Sequence, residues 1–222
     1  MFFLFFTATS LQTHTTSLNL LISATDNMVF SAPLRILLLC LLHFSTRAVS
    51  EDVDPVILQR IITRFHQNLG LGQYTVVFRV DRNICLENST FPDQNLLARV
   101  TNTVQSNGVY DEDNLVAAKA YPNQHSEYRL RNLLGNILNV PNQCVVYFSV
   151  NSPCLTTCLS NGPYNIQANL VGLRNYEGIK ALAFRYIWQH DDKQALKNRL
   201  NVIAPHLPNY LCVINTHRCD PL

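Results

Sequence analysis

Charge is what this sequence most lacks. Of its 222 residues only 14% are charged, and 17 Lys and Arg stand against 15 Asp and Glu, a formal net charge of +2. That balance excludes the basic surplus with which strong, non-specific nucleic-acid binders hold a phosphate backbone. Glycine is sparse too, at seven residues, which excludes collagen-like and linker-rich architectures. Long apolar runs are missing: the stretch 36–42 (ILLLCLL) has seven residues, where a membrane-spanning helix needs about 20. What is plentiful is core-forming material. Hydrophobic residues make up 47% of the chain, which excludes a disordered protein, and the length suits one domain with a sizeable core. Seven cysteines are present, an odd number to pair.

The first fifty residues read as a segment that is removed. Residues 1–27 hold a single charge, Asp26, in a Thr- and Ser-rich stretch with no helical or strand period. From Met28 the layout becomes that of a secretory signal peptide: Arg35 as a short basic region, 36–42 as apolar core, and Ala48, Val49 and Ser50 as small residues before a cut after Ser50. Either Met28 is the start codon or 1–27 is a long leader; a membrane anchor is the competing reading, for which seven apolar residues are too few. The expectation is a leader over 1–50, its signal-like core at 28–50, and a single domain over 51–222. The mature protein would be secreted, without stable membrane association. Cleavage removes Cys40, Asp26, Arg35 and Arg47, leaving 15 basic against 14 acidic residues. Six cysteines stay: Cys85, Cys144, Cys154, Cys158, Cys212 and Cys219. In an oxidising compartment that even count reads first as three disulfides. Asn88-Ser89-Thr90 is a sequon that would carry a glycan on Asn88.

Helices and strands alternate along the mature chain. Val53, Ile57, Ile61 and Phe65 recur four apart and predict an amphipathic helix over 53–69, stopped by Gly70 and Gly72. The β-branched and aromatic run 74–80 predicts a strand. Leu96, Val100 and Val104 suggest a helix inside an otherwise irregular 81–113, and 115–121 a second strand. A helix from about Gln124 would bury Leu130, Leu133, Leu134, Ile137 and Leu138. The near-continuous apolar run 144–150 is expected for a strand covered on both faces. A helix near Pro153, a strand over 179–188, a helix over 193–204 and a last strand over 210–214 complete the pattern. The fold class is α/β.

Two short motifs carry the chemistry, His125-Ser126-Glu127 and Ser152-Pro153-Cys154-Leu155-Thr156-Thr157-Cys158. Alone, each has an ordinary reading: a surface histidine capping a helix, and a cysteine pair in a disulfide. Together, with a strand between them, they fall at one end of a sheet, where α/β folds place their sites. One imidazole and two thiolates make a three-ligand zinc site with an open fourth position. Such a zinc lowers the pKa of water toward neutrality, and Glu127, near the metal without binding it, would move protons. The expected helix N-termini would favour the thiolates.

This pattern, H-x-E followed by P-C and a second cysteine, resembles the zinc-dependent nucleobase deaminases. The Ser-Pro-Cys triplet at 152–154 and the 25 residues between Glu127 and Pro153 are similar to the AID/APOBEC branch, and the signal peptide and extra cysteines to its secreted members. The resemblance implies a three-layer fold with a central mixed five-stranded sheet flanked by helices. It implies a hydrolytic deaminase converting cytosine to uracil, with Zn2+ on His125, Cys154 and Cys158, Glu127 as the proton shuttle and a role in immune defence. Its implied partner is single-stranded DNA or RNA. Three features depart from the family pattern. Three residues, not two, separate the cysteines, a spacing that still shares one helical face. Asn151 stands where the branch has a Trp against the target base, so Asn151 and Ser152 are substrate contacts only with help from Tyr121, Tyr186 or Trp188. The mature charge is close to neutral, which leaves free cytidine or deoxycytidine as a second substrate class, and a disulfide-stapled binding module without catalysis as a third reading.

With Cys154 and Cys158 on zinc, Cys85, Cys144, Cys212 and Cys219 remain as disulfide candidates with three connectivities open. Cys212 and Cys219 would close a local loop, or join His217 in a second metal site. His66, His190 and His206 read as ordinary surface or half-buried residues. Phe184 and Trp188 fit a core strand, with Trp188, at its end, the better placed for function. The oligomeric state is open.

Overall fold

The computed structural model describes residues 52–70 and 72–222, so the leader and signal-peptide expectations over 1–50 lie outside the described residues. The first helix, α1 (Pro55–Leu69), is set by its ends. Asp54 accepts hydrogen bonds from the Val56 and Ile57 amides at 2.7 and 3.0 Å, and Pro55 opens the helix where a missing N–H costs nothing. Gly70, at φ 79°, ends it. Ile57, Leu58, Ile61, Ile62 and Phe65 form the buried stripe, each full burial contributing about 1.5–3 kcal/mol. Val53 is buried too, but it precedes the helix.

The remaining elements are β1 (Tyr74–Val80), α2 (Arg82–Leu86), α3 (Gln94–Asn107), β2 (Val109–Glu112), β3 (Leu115–Lys119), α4 (Ser126–Arg129), α5 (Leu134–Leu138), β4 (Cys144–Asn151), α6 (Gln167–Asn175), β5 (Ile179–Tyr186), α7 (Lys193–Ile203), β6 (Asn209–Leu211) and β7 (Asp220–Pro221). The sheet order is β2-β3-β1-β4-β5-β6-β7. β4, β5 and β6 run parallel, and the other pairs are antiparallel. Alternation along β4 divides the core. Cys144, Val146, Phe148 and Val150 pack toward α1 and α3, while Val145 and Tyr147 pack toward the layer of α5, α6 and α7. Helices on both faces make three layers, as expected for α/β.

The sheet has seven strands rather than five. β2 forms a hairpin with β3, and the two-residue β7 is held against β6 by the Cys212–Cys219 disulfide. Neither is long enough to show a strand period. The long helix expected from Gln124 is broken: α4 is a single turn, and i→i+3 bonds such as Leu133 N to Leu130 O separate it from α5. Leu130, Leu134 and Ile137 are still buried, whereas Leu133 and Leu138 are only partly covered. No helix starts near Pro153. The chain turns over 155–158, closed by Leu159 N to Cys154 O at 3.0 Å, and helix returns only at Gln167. The strand expected over 115–121 ends at Lys119, because Tyr121 and Gln124 pair in a tight turn with Asn123 at φ 67°. That over 179–188 stops at Tyr186, before Trp188. A second disulfide joins Cys85 of α2 to Cys144 at the start of β4, 59 residues apart. The pairing leaves Cys154 and Cys158 as free thiols and places Cys212 and Cys219 in a bond, not in a metal site with His217.

Candidate metal centre

Three local structures converge past the C-terminal end of β4. His125 precedes α4 and makes no capping bond of its own, which leaves its ring free for other partners. Arg129 anchors α4 by donating to the Gly108 and Lys119 carbonyls at 3.0 and 2.6 Å, at the base of the β2–β3 hairpin. Ser152 locks the other wall: its amide donates to Tyr186 O at 2.7 Å, and its hydroxyl accepts from the Trp188 amide at 2.9 Å. The turn that follows carries Cys154 and Cys158, and Asp191 holds it by accepting from Leu155 N at 3.0 Å.

His125 Nδ1 lies 3.2 Å from Cys158 Sγ and 3.8 Å from Cys154 Sγ, and the sulfurs are 3.4 Å apart. A tetrahedral zinc with ordinary bond lengths sets about 3.8 Å between two sulfurs and about 3.6 Å between sulfur and nitrogen. The donor set and its spacing fit that ion. The support for the thiolates differs from the expectation, since neither cysteine is at a helix N-terminus. The tight turn supplies the Cys158 amide to Cys154 Sγ at 3.4 Å instead. The hydrogen bond with Cys158 holds Cys154 well below the usual thiol range, and Cys154 in turn pushes His125 up.

Glu127 is 1% exposed and lies within a chain of hydroxyls. Ser126 Oγ donates to its Oε2 and Ser149 Oγ to its Oε1, both at 3.1 Å. Thr75, opposite Ser149 in the β1–β4 register, links to Ser126 at 2.8 Å and to Ser149 at 3.1 Å. Gln73, just before β1, donates to Glu127 Oε1 at 3.4 Å. Burial raises the carboxyl above its ordinary range, and its backbone hydrogen bond, His125 and the two serine hydroxyls offset that rise only in part. The chain of hydroxyls keeps a buried carboxylate supplied with donors.

His125, Glu127 and Cys154 open into one cavity of about 210 Å³, below the roughly 300–1,000 Å³ of a drug-sized site. Asn151, Ser152 and Trp188 complete one side, and Gln73 and Ala120 the other. The Trp188 ring stands 6.5 Å from that of His125. Tyr121 and Tyr186 are outside the cavity, 67% and 41% exposed. Arg129 stacks over the Tyr121 ring at 5.5 Å. Sequence reasoning missed Gln73, Thr75 and Ser149. The last two were visible as hydroxyls interrupting apolar strands; Gln73 carries no such signal. His125, Cys154 and Cys158 are the one group among the described residues whose ligand atoms lie together, within 4.8 Å.

A model of the family described as Secreted Novel AID/APOBEC-like Deaminase 1 matches residues 55–221. The chain belongs to the secreted AID/APOBEC-like deaminases. No curated protein and no solved structure matches it. The match spans α1 to β7 and so includes both halves of the candidate metal centre. The family's description as secreted agrees with two disulfides, and no helix among the described residues is long and apolar enough to cross a membrane.

Proposed function

We propose that this chain is an exported zinc deaminase that converts cytosine to uracil in single-stranded nucleic acid, and that export places it in immune defence as the family resemblance implies. One observation carries the reading: three zinc-type ligand atoms lie within 4.8 Å of one another, and two of them, on His125 and Cys154, belong to residues that line a small cavity with a buried, hydrogen-bonded carboxylate. Zinc on His125, Cys154 and Cys158 supplies a Lewis acid that makes water nucleophilic near neutral pH. Glu127 takes a proton from the attacking water and gives it to the ring nitrogen, then takes a second from the hydroxyl so added to the ring carbon and gives it to the departing amine. Ser126 and Ser149 fix the carboxylate, so that it meets the base in one orientation. The target base leaves any stack to reach the cavity, with Trp188 as its aromatic wall and Asn151 beside it. Tyr121 and Tyr186 stand on the outer surface, where flanking bases would stack.

The charge of 15 basic against 14 acidic residues over 51–222 favours free cytidine as the second reading. Purified protein should hold about one zinc per chain and form uracil from a single-stranded oligonucleotide. Glu127→Ala should keep the zinc and lose activity by roughly 10²–10⁴-fold. Uracil from the free nucleoside alone moves the substrate to the second reading. A zinc-loaded protein active on neither substrate points to a binding module.

A further inference from the structure

The turn that carries both cysteines has no internal ladder to hold its shape. A helix fixes its side chains through successive i→i−4 bonds. The turn over 155–158 closes instead on one backbone bond among the described residues, Leu159 N to Cys154 O. Its two ends are held from outside. Leu155, which follows Cys154, donates its amide to Asp191 Oδ2 at 3.0 Å. Leu159, which follows Cys158, has its carbonyl forked by Arg199, whose Nε and Nη2 donate to it at 2.9 and 2.6 Å. Gln167 Nε2 adds a longer bond to the same oxygen at 3.3 Å. Both holding residues come from one stretch of chain. The Asp191 amide donates to Trp188 O at 2.8 Å, and the neighbouring Asp192 caps α7 through Ala195 N. Arg199 lies on α7, whose Leu196 and Leu200 are buried in the same core layer as Cys154 and Cys158. Each cysteine is thus followed by a residue tied to a fixed element.

We propose that Asp191 and Arg199 are positioning residues that set the two sulfurs at ligand spacing before a metal arrives, an assignment that rests on the zinc reading of His125, Cys154 and Cys158. Without either hold, the turn samples other shapes in the free protein, and metal binding has to order it. Losing such an outer contact costs roughly 10–100-fold in metal affinity. The two side chains carry opposite charges, which separates positioning from electrostatics. A nearby anion favours a bound dication and a nearby cation disfavours it. Acting by charge alone, Arg199 would weaken zinc binding, and its removal would tighten it. Acting by position, its removal weakens binding.

Zinc affinity is measured by competition with a chromophoric chelator, at a temperature where circular dichroism shows every variant folded. Asp191→Ala and Arg199→Met should each bind zinc roughly 10–100-fold more weakly than wild type. Asp191→Asn removes the charge but keeps an acceptor for Leu155 N, and should bind as wild type does. The Co2+-loaded proteins give a second readout: the thiolate charge-transfer band of wild type should reappear in Asp191→Asn and shift or weaken in Asp191→Ala. Where the first variants fold poorly, Asp191→Ser, too short to reach Leu155, and Arg199→Gln, with one donor in place of a fork, should show the same direction of loss. Wild-type affinity in both Asp191→Ala and Arg199→Met overturns the assignment. So does Asp191→Asn falling as far as Asp191→Ala, or tighter binding in Arg199→Met, since either reports charge and not position. Wild-type protein that binds no zinc overturns the zinc reading itself, and it does so before any variant is compared.

Discussion

Strand β4 has cysteine chemistry at both ends, and the two ends differ in what surrounds the sulfur. At the start, Cys144 is bonded to Cys85, and both side chains are fully buried among apolar residues of the α1 layer. Past the far end, Cys154 meets Cys158 across 3.4 Å, with His125 Nδ1 beside both. A disulfide needs its sulfurs about 2.05 Å apart, so the second pair is set at the spacing of metal ligands rather than of a covalent bond. The partner's origin differs as well. Cys85 comes from 59 residues away and staples α2 to the sheet, whereas Cys158 comes from the same turn as Cys154 and makes no covalent tie to a distant segment. One end of the strand holds the fold together; the other holds a reactive group still. A secreted chain can keep two thiols reduced when a metal claims them.

The sharpest way to break this comparison is Cys154→Ser. If the far end is a metal site, bound zinc falls from about one per chain to near none and deamination is lost with it. The Cys85–Cys144 bond remains, so circular dichroism at room temperature should match wild type. A variant that keeps its zinc and its activity would place the metal elsewhere.

The reverse experiment removes the other end. Cys85→Ala with Cys144→Ala opens a loop of 59 residues, which the chain-entropy argument values at about 4 kcal/mol. For a domain of this size that is a melting-temperature loss of roughly 10 °C. Cys212 and Cys219, only seven apart, should be worth about 2.5 kcal/mol by the same argument. In both variants the zinc content at low temperature should stay that of wild type. Loss of zinc from the folded Cys85→Ala, Cys144→Ala protein would mean that the two ends are energetically one unit.

The same contrast explains what could be read from the sequence. The candidate ligands and the proposed shuttle were legible because His125 and Glu127 sit within three residues, and Cys154 and Cys158 within five, so backbone geometry alone keeps each set together. α1 was legible because Ile57, Ile61 and Phe65 repeat long enough to show a period, and β4 because the run from Val145 to Phe148 is unbroken, β-branched and aromatic. The partner of Cys144 was not legible, since a 59-residue closure depends on the whole sheet. Nor was Gln73: nothing at the entry to β1 announces that the β1–β4 register sets it beside Ser149 and Glu127. The helix expected at Pro153 failed for a local reason. Four residues of turn, closed from Leu159 N to Cys154 O, bring the thiols together without one.

The smallest expected effect sharpens the comparison on the layer opposite the candidate metal centre. His66, near the end of α1, is half-buried, and its Nδ1 lies 3.0 Å from the Tyr74 hydroxyl. Burial, helped by the nearby Arg185 guanidinium, lowers its pKa below the usual 6.5. The folded state therefore holds this imidazole neutral, while the unfolded chain takes up its proton as pH falls through about 6.5. Stability contributed by His66 is present above that value. It is lost progressively as pH drops from there to the lowered folded pKa, below which both states are charged and no further loss accrues. His66→Asn cannot titrate, so the difference between its urea midpoint and that of wild type should narrow between pH 7 and pH 5. A difference that widens instead would mean that the folded protein stabilises the imidazolium. His66 would then have found an anionic partner, as His125 finds a thiolate in Cys154, and the two layers would not differ in how they treat a histidine.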